Sequence, residues 1–188
     1  MSISARFTSK DLDWLPAVDG IRYEIVDGDL YVSKQPHWHH QYTAGRIERR
    51  LHDWNDRTGV GIAMAVPGLV FSEDNDVIPD VVWISRSRLE AVEDAAGHLR
   101  DAPELVVEVL SLGRENERRD REVKLDLYRR RGVQEYWIVD WRQQVVEVYR
   151  RIDGDLSLKE TLTGEAVLTT PLLPGFACPL PELWAPAR

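Results

Sequence analysis

The stretch Pro103-Glu-Leu-Val-Val-Glu-Val-Leu-Ser111 constrains this chain more than any other. Leu105 to Leu110 would be an unbroken apolar run of strand-forming residues but for Glu108 in its middle, and such a run marks a strand covered on both faces. A carboxylate is costly to bury alone, so an interior Glu108 must be paired, hydrogen-bonded or bound to a cation. The other reading puts it near the strand end, reaching solvent or a buried Arg. Val77 to Ser85 repeats the pattern, with Asp80 after Pro79 and before Val81, Val82 and Trp83. Two apolar strands, each with one interior acid, can hold a hard divalent cation. Mg²⁺ takes a few carboxylate oxygens plus waters and leaves room for substrate phosphate.

A chain of 188 residues suits one domain, residues 1–188, with a substantial core. The longest weakly polar stretch, Val60 to Phe71, contains Pro67 and falls well short of the roughly 20 residues that cross a bilayer. Met1 to Leu15 lacks an apolar core and a small-residue cleavage site, so no membrane partner and no secretory signal are expected. The single cysteine, Cys178, excludes an internal disulfide and cannot alone make a zinc site, and a cytoplasmic location follows as the expectation. A net charge of −8 argues against a protein that coats nucleic acid non-specifically. The basic residues are nonetheless grouped: Arg114 to Arg131 carries eight Lys and Arg against five acids.

Taken in order, the chain predicts a short helix capped by Thr8 or Ser9 and stopped near Pro16, then strands at Ile21–Val26 and Leu30–Ser33 around Asp27-Gly28, a tight-turn dipeptide. Thr43, Ile47, Leu51 and Trp54 give a helical period between Pro36 and Arg57, and Gly59 ends it. Strands follow at Val60–Val66 and Leu69–Phe71, then an acidic turn at Glu73–Asp76, the Asp80 strand, a short helix and loop over Arg86–Arg100, and the Glu108 strand. A helix from about Asn116 to Arg131 closes at Gly132. Three strands, Gln134–Asp140, Val145–Arg151 and Leu156–Leu162, precede a Pro- and Leu-rich tail with a last turn at Leu180–Trp184. This order is α/β, and the crossover from Glu108 to Tyr136 suits a βαβ unit with parallel neighbours.

Lys124 lies on or beside the stripe formed by Val123, Leu127 and Tyr128. It either snorkels outward or turns its ammonium toward carboxylates on the adjacent strand. Glu24, between Tyr23 and Ile25, reads in isolation as part of a solvated strand face. His37, His39 and His40 fall at a helix start, where only His37 and His40 share a face, and no fourth ligand is evident. Tyr136, Trp137 and Trp141 read as core and hairpin aromatics. The nucleophile-elbow, phosphate-loop and dinucleotide motifs are all missing from the sequence.

Pro79-Asp80-Val-Val, Pro103-Glu-Leu-Val-Val-Glu108-Val-Leu-Ser111, Lys124 with Tyr128, and Gly132-Val-Gln-Glu-Tyr-Trp-Ile-Val-Asp140 together resemble the Uma-type family of restriction endonucleases within the PD-(D/E)XK nuclease superfamily. Tyr23-Glu24-Ile-Val-Asp-Gly28, and His40 followed by Ile47 and Leu51, are similar to its N-terminal signature; the resemblance spans about residues 15–165. It implies a restriction endonuclease-like mixed β-sheet core flanked by helices, with an N-terminal β-hairpin or meander. It further implies Asp80 and Glu108 as ligands of Mg²⁺ or Mn²⁺, with Glu24 as a further active-site acid. The superfamily pattern places Lys two residues after the second acid, where this chain has Leu110, and the resemblance moves that role to Lys124. The expectation is a metal-dependent endonuclease acting on DNA, with Arg118, Arg119 and Arg121 on the phosphates and a homodimer where both strands are cut. Two other readings stand beside it: a nuclease fold kept as a binding or regulatory module, and a structural ion-pair network in an assembly subunit.

Overall fold

The computed structural model describes residues 6–186. The elements are α1 (Ser9–Leu12), β1 (Arg22–Val26), β2 (Asp29–Ser33), α2 (Trp38–Thr58), β3 (Gly61–Ala65), β4 (Leu69–Ser72), β5 (Asn75–Val77), β6 (Val81–Ser85), α3 (Arg86–Val92) and β7 (Leu105–Val109). They continue with α4 (Arg114–Arg118), a π turn (Arg119–Val123), α5 (Lys124–Arg131), β8 (Glu135–Asp140), β9 (Val145–Ile152), β10 (Asp155–Leu162), β11 (Val167–Leu168), β12 (Cys178–Pro179) and a final 3₁₀ turn (Leu180–Glu182).

Local chemistry sets most boundaries. Thr8 and Asp11 form a reciprocal capping box at α1. Asp27 and Gly28 both adopt positive φ between β1 and β2, as do Asp153 and Gly154 between β9 and β10, the backbone that two-residue hairpins require. Gly59 and Gly132 end α2 and α5 in the left-handed conformation. The expected strand Val77–Ser85 is instead two strands in different sheets, β5 and β6, and the chain crosses between them at Ile78–Asp80. Pro79 has no N–H to give a ladder, which breaks the strand there. The helix expected from Asn116 begins two residues earlier, at Arg114, after Gly113 at φ 106°.

Ten of the strands make two sheets. One has the order β2-β1-β5-β4 and is antiparallel throughout. The other has the order β10-β9-β8-β7-β6-β3 and is mixed, with β7 and β8 its parallel pair, bridged by the α4-π-α5 helix. Strand alternation divides the larger sheet's two faces. Val107, Val109, Val81 and Trp83 pack on the face covered by α2, where Trp54 meets Trp83 edge-on at 6.0 Å. Val106, Leu110, Val82 and Ile84 pack on the other, under Leu127 and Tyr128 of α5 and Val26 and Val77 of the first sheet. Glu108 belongs by parity to this second face, between two sheets and a helix.

Candidate active site

Val81 pairs with Val107 across the β6–β7 ladder, so Asp80 and Glu108, one step further on, stand beside each other on the same face. Their adjacency is direct, since Asp80 Oδ2 accepts from the N–H of Val109 at 2.9 Å. Both acids are buried, at 6% and 3% exposure. His40, near the start of α2, places Nε2 3.2 Å from the same Asp80 oxygen, and Arg22 approaches Oδ1 at 3.6 Å. Burial works to raise the Asp80 carboxyl, but the His40 hydrogen bond, its charge and the Val109 N–H outweigh it and hold the group below its ordinary range.

Lys124, 1% exposed, turns inward. Its Nζ lies 2.8 Å from Glu108 Oε1 and 2.7 Å from Glu24 Oε1, joining one acid from each sheet. Burial alone would lower the ammonium, yet Glu108, Glu24 and Asp120 together keep it above its usual value, so it is a fixed cation. Burial pushes Glu108 up to about 8, against the opposing pull of Lys124. Tyr128 donates its hydroxyl to the same Glu108 oxygen at 3.0 Å. Glu24 is held at its other contacts by the N–H of Ile78 at 2.9 Å and by Arg119 at 3.7 Å.

The π turn explains how one helix supplies two cations here. The N–H of Lys124 bonds to the carbonyl of Arg119, five residues back, so Lys124 stacks over Arg119 and both reach Glu24. Tyr136, on β8, donates its hydroxyl to the Asp120 carbonyl inside this widened turn at 2.9 Å. Arg119 is itself buried, bonded through Nε to Asp120 and through a terminal nitrogen to Ser33 Oγ at 2.7 Å.

A cavity of about 30 Å³ lies above these groups, the space of one water or one hydrated-ion ligand. Asp80, Glu108, Glu24, His40 and Lys124 line it. Among the described residues, Asp80 Oδ1 and Glu108 Oε2 receive no hydrogen bond; Oδ1 has only the long contact with Arg22, and Oε2 has no ion pair. No group of three His, Cys, Asp or Glu side chains is arranged to hold a metal among the described residues, which disfavours a zinc-type cage. The carboxylates of Asp80 and Glu108 at this wall, within a buried cluster of four acids and two cations, are hard oxygen donors of the kind Mg²⁺ prefers.

A family model described as "Uma2: Putative restriction endonuclease" matches residues 10–181. The chain belongs to the Uma2 family. The Uma2 match extends beyond residues 15–165 at both ends and takes in the β11–β12 tail. A crystal structure of a putative nuclease belonging to DUF820 from Anabaena variabilis superimposes with a TM-score of 0.72 at 18% identity, covering 94% of this chain and 97% of that one. It shows the same fold, a mixed sheet flanked by helices. No curated protein matches the chain. Membership in Uma2 supports a nuclease.

The four acids and bases expected at the site, Asp80, Glu108, Lys124 and Glu24, come together in one cluster. The three arginines expected on DNA differ in setting. Arg119 is 6% exposed, engaged inside the cluster and at the cavity wall. Arg121 is bound to Glu147 of β9, and Arg118 is exposed and pairs with Glu122 one turn on. Sequence reasoning missed Asp120, Arg22 and the contact of His40 with Asp80. Only the family-like position of His40 pointed toward the last. Leu110, at the superfamily's usual lysine position, is fully buried beside Tyr128 and has no access to the cavity.

Proposed function

We propose that the protein is a metal-dependent nuclease that hydrolyses phosphodiester bonds in DNA. The observation that carries this reading is that Asp80 and Glu108, each with one oxygen free of hydrogen bonds, line one small cavity together with the fixed ammonium of Lys124. Asp80 and Glu108 would hold Mg²⁺ or Mn²⁺, which supplies a Lewis acid for the phosphoryl oxygen and a bound water of lowered pKa. Lys124 sets a positive charge at the cavity wall, positioned to offset negative charge developing on a substrate phosphate. Glu24 is a positioning residue, because its carboxylate fixes the Lys124 ammonium from the opposite sheet. Tyr128 fixes Glu108 and His40 fixes Asp80, so both ligands are oriented before any cation arrives.

The test is incubation of purified protein with supercoiled plasmid and single-stranded DNA under Mg²⁺, Mn²⁺ or EDTA. Metal-dependent cleavage lost in Glu108→Gln and Asp80→Asn is the expected result. The structural ion-pair reading rests on the same contacts and parts company over metal. If neither ion raises the melting temperature and neither DNA is cut, the cluster is a fastening and the nuclease assignment fails.

A further inference from the structure

The cavity over Asp80 and Glu108 continues outward. Ser33, Lys34, Pro36 and Ser111 line it and also line a groove of about 540 Å³ between the β2–α2 connection and the loop before α4. At the groove's far end His37 is shared with a further pocket of about 730 Å³, within the roughly 300–1,000 Å³ typical of small-molecule sites. Cavity, groove and pocket therefore form one trough with common walls.

The trough changes character along its length. In the groove, Lys34 and Arg114 are exposed and make no ion pair or side-chain hydrogen bond among the described residues, whereas Arg118, Arg121, Arg129, Arg130 and Arg142 are all paired. Glu115 is the one acid lining it. Beyond it the pocket is aromatic. His37 stacks on Trp141 with centroids 4.9 Å apart and planes 12° from parallel, and Trp38 meets His39 edge-on at 3.8 Å. Trp141 is tied by its indole N–H to the Leu110 carbonyl at 3.1 Å, so the aromatic wall is anchored to the strand end that follows Glu108. Trp38 is nonetheless 46% exposed, with His37 stacked beside it at 6.1 Å and 27°. Unpaired cations followed by a part-exposed indole match the alternation of phosphate and base in a single strand.

We propose that this pocket stacks an unpaired base of a DNA strand on Trp38, while Lys34 and Arg114 carry the phosphates toward Asp80 and Glu108, so that the preferred substrate is single-stranded. The inference rests on the nuclease reading and adds its substrate form. A duplex keeps its bases inside the stack and would have to flip one out, at a cost of a few kcal/mol, to use the pocket.

The experiment is fluorescence anisotropy of a labelled oligonucleotide, single-stranded or as a blunt duplex, in EDTA so that no cleavage intervenes. Wild type should bind the single strand more tightly, with quenching of tryptophan emission. Stacking of about 1–3 kcal/mol per base predicts that Trp38→Ala weakens the single strand roughly 5- to 150-fold, that Trp38→Phe restores most of it, and that duplex binding is unmoved. Lys34→Ala with Arg114→Ala should flatten the salt dependence by about 0.7 per cation removed. Trp38 is an exposed residue in the first turn of α2, so a melting curve matching wild type is expected for its variants. Equal single-strand affinity for Trp38→Ala and wild type, or a preference for duplex, overturns the pocket while metal-dependent cleavage keeps the nuclease standing. Failure of wild type to bind either form in EDTA overturns the pocket, and the cleavage and thermal-shift assays with Mg²⁺ or Mn²⁺ decide the nuclease reading separately.

Discussion

Replacing Lys124 by Met isolates the charge at the centre of this molecule, because the two side chains are similar in length and volume. Lys124 is 1% exposed and ion-paired with Glu24 and Glu108. Removing its ammonium leaves two buried acids facing each other, and breaking such a pair costs about 3–5 kcal/mol. For a chain of this size each kcal/mol moves the melting temperature by about 2–4 °C, so a fall of about 6–20 °C is expected by circular dichroism in EDTA above pH 8, where Glu108 is ionised in the wild type. Glu24 keeps its bond from the Ile78 N–H and its contact with Arg119, so above pH 8 most of the cost falls on Glu108, as a stranded charge or as the uptake of a proton. Adding Glu108→Gln to Lys124→Met should therefore recover stability, since the amide retains a partner for the Tyr128 hydroxyl without a charge to desolvate. Additive losses, within about 0.5 kcal/mol, would refute the claim that these two groups stabilise one another.

The pH response of the metal-free protein follows from the same acid. Glu108 is raised to about 8 in the folded state from an ordinary 4.5, so between those values the folded protein holds a proton that the unfolded chain releases. Its contribution is complete below about 4.5 and is lost as pH rises through about 8, and urea midpoints in EDTA should show this decline in wild type but not in Glu108→Gln. Two glycines should respond oppositely to alanine. A Cβ on Gly61 would meet Trp83 at 2.4 Å and the Ile84 carbonyl at 2.6 Å, so Gly61→Ala should destabilise by about 1–3 kcal/mol. Gly45, inside α2 with nothing within 4 Å, should gain up to about 1 kcal/mol on the same change, and thermal melts distinguish the pair.

What the sequence disclosed is what neighbouring residues decide among themselves. The Thr8 cap, the Asp27-Gly28 turn, and the ends at Gly59 and Gly132 all depend on backbone conformations that a few adjacent residues set. Glu108 was legible as an anomaly because its neighbours are uniformly apolar. Glu24 was not: beside Tyr23 and Ile25 it looks solvated, yet it is 3% exposed because its partner Lys124 arrives from a distant helix. The inward turn of Lys124 and the burial of Arg119 depend on a π turn for which Arg119-Asp120-Arg121-Glu122 carries no local sign, since such a run reads as a solvated helix face. The break at Pro79 was visible as a residue but not as a change of sheet, because sheet membership is settled by long-range pairing.

The bond from Glu24 through Lys124 to Glu108 runs from the first sheet, through a helix, to the second. The groups proposed for chemistry are thus also a clasp between two halves of the architecture. A lineage that lost its substrate would find these acids hard to discard one at a time, because each single loss leaves a buried charge stranded and loosens the hairpin sheet. Retention of such a cluster in a relative would therefore report selection for assembly as much as for cleavage.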